Sequence, residues 1–372
     1  MAVAAMQLAD WIQAIAQLAF LLIFVLLFFG FNQRIQIYMW SRDIKAKLRI
    51  LEGMARESRK KTLDFMLKHK ARDAEKILNQ VIDFFVIEPV SIEPTDIIKR
   101  LDHLFDTRRR RFKDEFSKAM PEVDEVARSK AETAAEIASA LNFIYRIVRH
   151  ILLLSEKTRN WILIMQLQLL MPQILRIAET YRRALDDFIS GVPIGDAAGP
   201  LVAVKLANYN GSWRHVDDET VYAVTNYEGR EVILVKAKGP GSSVGRPGYA
   251  TERLIEEYVN RGVKPSLLIT VDAALKLEGE DSGVVAEGVG AAIGDPGPEK
   301  IRFERIAAKY GIPLRAVIVK MSLEEAIRAM TKQIYEGVEK AVQRVASIIK
   351  SESKPGDLVV VVGVGNTIGV GQ

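Results

Sequence analysis

From Trp11 to Gln33 the chain reads WIQAIAQLAFLLIFVLLFFGFNQ, without one charged side chain, and its inner part is almost purely Leu, Ile, Phe and Val. A helix needs roughly 20 such residues to cross roughly 30 Å of hydrocarbon, so the run predicts a single transmembrane helix over residues 11–33. A cleaved signal peptide fits worse, because MAVAAMQLAD has no Lys or Arg and the apolar core exceeds an h-region. A buried core helix is rarely apolar on every face. Only Asp10 is charged before the run, whereas Arg34, Arg42, Lys45, Lys47, Arg49, Arg56, Arg59, Lys60 and Lys61 follow it, against Asp43, Glu52 and Glu57. The positive-inside rule therefore predicts a single-pass protein whose bulk is cytoplasmic. The lipid bilayer is its first expected partner, with Tyr38 and Trp40 at headgroup level and the basic stretch near anionic lipid.

Residues 34–190 predict a helical region. Helix formers dominate, and MARESRKKTLDFMLKHKARDAEKILNQVIDFF and DEVARSKAETAAEIASALNFIYRIVRHILLL place apolar residues three and four apart. Pro89 and Pro94 interrupt the pattern, and Thr95 can cap a new helix. The run WILIMQLQLLMPQIL, Trp161 to Leu175, carries three Gln and a Pro and lies between Lys157, Arg159 and Arg176. It reads as a core helix, too short and too polar for a second span. RRRRFK, Arg108 to Lys113, has Asp106, Asp114 and Glu115 beside it and no aromatic platform. It predicts a solvated face or a site for an acidic partner, and no specific nucleic acid. The amphipathic helices suit either a bundle within the chain or a coiled coil between copies, hence a possible homo-oligomer.

After Ser190-Gly191 the period changes. Short Val, Ile and Leu runs predict strands at 219–226, 230–238, 266–273, 281–290, 314–320 and 357–365, with a hairpin at Tyr227-Glu228-Gly229. Helical patterns fit 198–209, 249–262, 299–310 and 323–350. This alternation predicts a three-layer α/β domain over 191–372, with a mostly parallel sheet covered on both faces and ligands at the carboxyl ends of its strands.

Composition narrows the chemistry. The 372 residues carry a net charge of +5, too mild for a dedicated nucleic-acid binder. There is no cysteine, which removes disulfides, thiolate catalysis and Cys-ligated metals, and four histidines leave little for a His cluster. Gly239, Gly241 and Gly245 give GxGxxxG, and Gly363, Gly365, Gly369 and Gly371 give GxGxxxGxG. Neither is the dinucleotide fingerprint, and no Walker A motif exists, so no nucleotide cofactor is expected. Gly239 to Gly248 with Arg246 can form a backbone cradle for an anion or a plain structural loop. No GxSxG elbow occurs, and a triad would need His215 beside Ser242, Ser243 or Ser282. Carboxylates remain. Asp196 and Asp272, flanked by small residues at element ends, fit a pair that shares a proton and activates water. The plainer alternative makes Asp196 an N-cap and Asp272 a tie to backbone amides.

Two resemblances bear on these residues. The whole chain resembles an uncharacterised archaeal family of membrane-anchored proteins that carries only a domain-of-unknown-function label. DAAGPLVAVKL (196–206), KPSLLITVDAAL (264–275) and the run from Asp281 through GVGAAIGDPGPEK to YGIPLRAVIVK (310–320) resemble the spore germination protease. That α/β endopeptidase is related to hydrogenase maturation endopeptidases. The resemblance implies catalytic roles for Asp196 and Asp272, and a substrate cleft lined by Gly363, Gly365 and Asn366. In the protease a strand ending G-x-G-N precedes the first catalytic Asp, whereas here DLVVVVGVGN lies at 357–366. A circular permutation would place the last strand in the slot of the family's first. The nickel grip of the hydrogenase endopeptidases would need a His here, which only His215 offers. A hard divalent cation would draw on Asp196, Asp272 and some of Glu278, Glu280, Asp281 or Glu287.

Two functions follow from the same residues. One is a membrane-anchored, cytoplasm-facing hydrolase, an endopeptidase acting on a protein or peptide substrate. The other is a non-catalytic ligand- or protein-binding platform scaffolded by the helical region.

Overall fold

All six residues of Leu358–Gly363 are buried, as a strand covered on both faces must be. In the computed structural model, which describes residues 17–21, 31–87, 94–208, 211–294 and 297–372, this strand lies at the centre of a seven-stranded sheet. The strands are β1 (Arg214–His215), β2 (Thr220–Tyr227), β3 (Arg230–Ala237), β4 (Leu267–Leu275), β5 (Val285–Val289), β6 (Leu314–Met321) and β7 (Leu358–Gly363), in the order β1-β2-β3-β7-β4-β6-β5. Only the pairs β3–β7, β7–β4 and β4–β6 are parallel; β1–β2, β2–β3 and β5–β6 are antiparallel. The expected mostly parallel sheet is therefore a mixed one. The two-residue turn at Glu228-Gly229, both with positive φ, is a hairpin connection and joins only antiparallel neighbours.

Ahead of the sheet run α1 (Phe31–Lys68), α2 (Ala74–Ile82), α3 (Pro94–Ala119), α4 (Glu125–Thr158) and α5 (Trp161–Ser190), then a 3-10 turn (Gly195–Ala197) leading into α6 (Ala198–Leu206). Between the strands come α7 (Pro247–Asn260), α8 (Pro298–Tyr310), α9 (Leu323–Ile327) and α10 (Lys332–Glu352). The helix expected over 323–350 is thus divided. Ser322 and Glu325 form a capping box on α9, and the Thr331 hydroxyl accepts from the Ile334 amide to start α10.

Strand alternation assigns the two faces. Val232, Leu234, Ile269, Val271, Val359 and Val361 pack against Ala198 and Val202 of α6 and Ile334, Val338, Ala341 and Val345 of α10. Ile233, Val235, Leu268, Val360 and Val362 pack against Leu254 and Ile255 of α7 and Phe303 and Ile306 of α8. Each such side chain, fully removed from water, contributes about 1.5–3 kcal/mol.

The chain divides into two compact units, residues 1–56 with 141–178, and residues 57–140 with 179–372. In the first, α1 meets the α4–α5 hairpin through Lys45–Glu156 (2.7 Å) and through Asp43, which accepts from both Lys47 and Gln168. In the second, Arg182 of α5 pairs with Glu57 and Lys61 pairs with Asp186. The helix expected at 11–33 lies largely outside the described residues, of which 17–21 and 31–33 are helical. Pro89 of the expected helix break lies outside them too. Among the described residues two helices, α4 and α5, are long and apolar enough to cross a membrane by length and composition. The expected single apolar span is corrected accordingly. Trp161–Leu175 is short by itself, but its helix continues to Ser190, and Arg176 is the first charge it meets.

Candidate active site

β7 places the site. Beyond Gly363 the chain crosses the strand ends, where the Val364 amide donates to Val271 O (2.8 Å). The 3-10 turn and the start of α6 press onto this crossing from above. A Cβ on Gly199 would lie 2.2 Å from Val364 O and 2.4 Å from Val271 O. Gly365 has a φ of +128°, and a Cβ there would lie 2.0 Å from Asp196 O. Glycine is required at both positions for backbone to meet backbone.

Asp196 sits in the 3-10 turn, and its Oδ2 accepts from the Asn366 amide (2.8 Å). It does not cap α6, whose N-cap position is Ala197. Asp272, 5% exposed, is in β4 between the register positions of Val271 and Ala273. Its Oδ1 accepts from the Ala273 amide (2.7 Å), and the Gly294 amide also bonds the carboxylate. Burial pushes the Asp272 carboxyl well above its ordinary value, and the charge of Asp196 pushes it further. Burial also raises Asp196, opposed by the Asn366 amide. A carboxyl strongly held as the acid beside a second one whose charge raises it is the electrostatic condition for acid–base work by a pair.

Asn366 joins this pair to the glycine-rich loop. Its Nδ2 donates to Ser242 Oγ (3.0 Å), and its Oδ1 accepts from the Ile368 amide. Ser242 O in turn accepts from Ser129 Oγ of α4 (2.9 Å). A cavity of about 120 Å³ opens on the far side, walled by Lys113, Ser129, Glu132, Gly241, Ser242 and Ser243 among others. Burial, with Glu136 adding, lifts Glu132 in its wall to about 7.

The anion cradle expected at Gly239 to Gly248 is put to other use. The buried Thr367 hydroxyl lies 2.9–3.0 Å from Lys238 O, Gly241 O and Ser243 O, and the Gly369 amide donates to Pro240 O. Gly239 backs onto Val370, Gly241 onto Ser129, and Gly245 onto Ala237 and Thr220. The loop is therefore laced to residues 367–370. The helix amides beyond it, Gly248 N and Tyr249 N, both donate to the Glu299 carboxylate, so the anion at this helix terminus is the protein's own. Arg246 pairs with Asp102 and Asp106 of α3 at 3.3 Å each and lies over the Tyr249 ring. Its role as an anion ligand is replaced by a latch holding α3. Arg109 of the RRRRFK run likewise pairs with Glu219 (3.0 Å), and Arg108 with Glu136.

His215 lies on β1, which β2 and β3 separate from β7. The sheet order thus keeps it apart from Asp196 and the loop after β3, and among the described residues no histidine joins the two acids in a three-ligand group. Among the described residues no group of three or more His, Asp or Glu side chains is placed to hold a metal. Glu280 pairs with Lys320, and Glu287 with Arg344. Sequence reasoning missed Ser242 and Ser129 as the link to α4, and it missed Lys236, which is fully buried on β3 opposite Gly363. The alternation in REVILVKAK carried a signal, since it places Lys236 on the same face as Val232 and Leu234.

The chain belongs to the DUF1512 family. A model of its N-terminal domain, described as a protein of unknown function, matches residues 18–191, and one of its C-terminal domain of unknown function matches residues 194–371. Among solved structures, the crystal structure of the Mycobacterium tuberculosis proteasome-assembly chaperone homologue is similar over 44% of this chain and 83% of that chain, at 13% identity and a TM-score of 0.29. No curated protein matches the chain.

Proposed function

We propose that residues 191–372 form a hydrolase in which Asp196 and Asp272 activate water against a peptide bond, tethered to the cytoplasmic face of a membrane by the helix at 11–33. The observation that carries this reading is a half-buried Asp196 in the turn that packs on the strand crossing, with its charge raising the proton affinity of the buried Asp272 on β4. Asp272, held as the acid, donates a proton to the leaving nitrogen. Asp196, whose raised affinity for protons makes it a better base, takes one from water. The peptide class rests on the resemblance of the segments around both acids to the germination protease. The placement of β7 between β3 and β4, with Gly365 against Asp196, is the arrangement a permuted relative requires.

A second reading has its own support. The Asn366, Ala273 and Gly294 amides each engage one of these carboxylates, as in a fixed binding platform. Cleavage of a quenched fluorescent peptide library by the full chain in nanodiscs separates the two. Asp196→Asn and Asp272→Asn are each expected to lower the rate at least about a hundredfold. Cleavage that persists in both variants, or its absence in the unaltered chain, refutes the hydrolase. Peptide retention by an inactive unaltered chain then supports the platform.

A further inference from the structure

We propose that the tip of the α4–α5 hairpin is a second membrane contact, which inserts into the headgroup region of an anionic lipid surface beside the N-terminal helix. This rests on the reading of residues 11–33 as a span. The argument begins with the direction of the helices. Asp43–Gln168, Glu57–Arg182 and Lys61–Asp186 are all pairs 125 residues apart, so α5 runs parallel to α1. Glu156 near the end of α4 pairs with Lys45, so the hairpin turn lies toward the start of α1. At about 1.5 Å per residue, the step from Gln168 back to Trp161 covers about 10 Å and reaches the level of Gln36. The uncharged run of the sequence ends at Gln33. The tip therefore stands within about one helical turn of the point where that run gives way to α1.

The surface there has the composition of an interfacial anchor. Ile162 (49%) is exposed at the tip, and Ile35, Tyr38 and Met39 are exposed on α1 at the same level. Burying such side chains in a lipid surface would remove their apolar area from water, and among the described residues they stand exposed. Between the two helices Lys157 and Arg159 are exposed, and Trp161 opens α5. Exposed apolar side chains, an aromatic residue and two cations within a few residues match a headgroup layer with an acyl boundary beneath it. An anionic leaflet attracts such cations at its surface. The helices themselves do not cross at this depth, because Lys45–Glu156 and Asp43–Gln168 would put ionised groups in hydrocarbon.

The chain has no cysteine, so single-cysteine variants report one site each. Ile162→Cys, Leu169→Cys and Val263→Cys, all at exposed positions, would carry a nitroxide. The full chain would be reconstituted into vesicles of phosphatidylcholine with phosphatidylglycerol. The ratio of oxygen to aqueous nickel-chelate accessibility is expected to be several-fold higher at 162 than at 263, with 169 between them. Replacing Lys157 and Arg159 by Glu should move the value at 162 toward that at 263. A label at 162 that is as water-accessible as that at 263, in a chain that floats with the vesicles, overturns the tip contact alone. A chain that does not float overturns the span and the tip together.

Discussion

Lys236 is the least expected side chain of the sheet, and its replacement by methionine gives a quantitative test of the packing. It is 0% exposed, paired in register with Val221 and Gly363. Its ammonium donates to Ala237 O (3.2 Å) and lies 4.9 Å from the Trp213 ring. Burial pushes it from 10.5 down to about 8. At about 1.4 kcal/mol per pH unit, holding the charged form in the folded protein at pH 7 costs about 3 kcal/mol. The cation–π contact returns about 1 kcal/mol of this. Methionine has similar length and no charge, so Lys236→Met should stabilise the protein by about 2 kcal/mol at pH 7. The folded-state value is depressed, so the unfolded chain holds more protons between pH 8 and 10.5, and stability of the unaltered protein rises with pH across that window. The advantage of the variant should therefore shrink toward zero by pH 10.5. Thermal unfolding of the full chain in detergent, followed by circular dichroism at pH 7, 9 and 10.5, measures both. A variant less stable at pH 7, or an advantage constant with pH, refutes the account.

Asp272→Asn should separate stability from chemistry. The folded-state carboxyl is raised, so the unaltered protein keeps this group's contribution below about 3.8 and loses it as pH rises through the folded-state value. The amide lacks that slope, and the variant should melt higher at pH 8 while cleaving nothing. Gly199→Ala should cost about 1–3 kcal/mol or more, because its Cβ meets two backbone oxygens. Gly53→Ala, in α1 with nothing within 4 Å, should gain up to about 1 kcal/mol; similar melting temperatures for the pair contradict the close approach at Gly199. Arg246→Ala should release α3, and amide exchange over residues 98–106 should quicken. Unchanged exchange there means that Asp102 and Asp106 are held by Arg302 and Arg109 alone.

The strands were legible where burial on both faces writes itself as a run of Leu, Val and Ile, unbroken at 358–362 and interrupted only by Thr270 at 267–271. Register and direction were not, because they depend on which run lies next to which. The hairpin at Glu228-Gly229 was readable from its turn chemistry, yet it makes β2 antiparallel and so dilutes the parallel sheet that the rest of the pattern implied. The break between α9 and α10 has local caps at Ser322 and Thr331, but its cause is distant. Arg328 and the Ala329 amide bond Asp187 of α5, and Ala329 bridges Ile194. The acid pair could be named from Asp196 and Asp272 because each has small neighbours, which leave room for a crossing chain. The partners of Arg246 lie on a helix 144 residues away, beyond the reach of spacing arguments, and so a latch was read as a ligand site.

The position of β7 links the fold to the site. A central strand contributed by the last stretch of the domain leaves β3 and β4 without a shared neighbour until residues 358–363 arrive. Such long-range pairing pays its loop-closure cost before any contact rewards it. The same event delivers Val364 to Val271, Asn366 to Asp196 and Ser242, and Thr367 to the glycine-rich loop. Asp196 and Asp272 therefore meet, in residues 364–366 that follow β7 directly, part of the wall that takes them out of water and raises their affinity for protons.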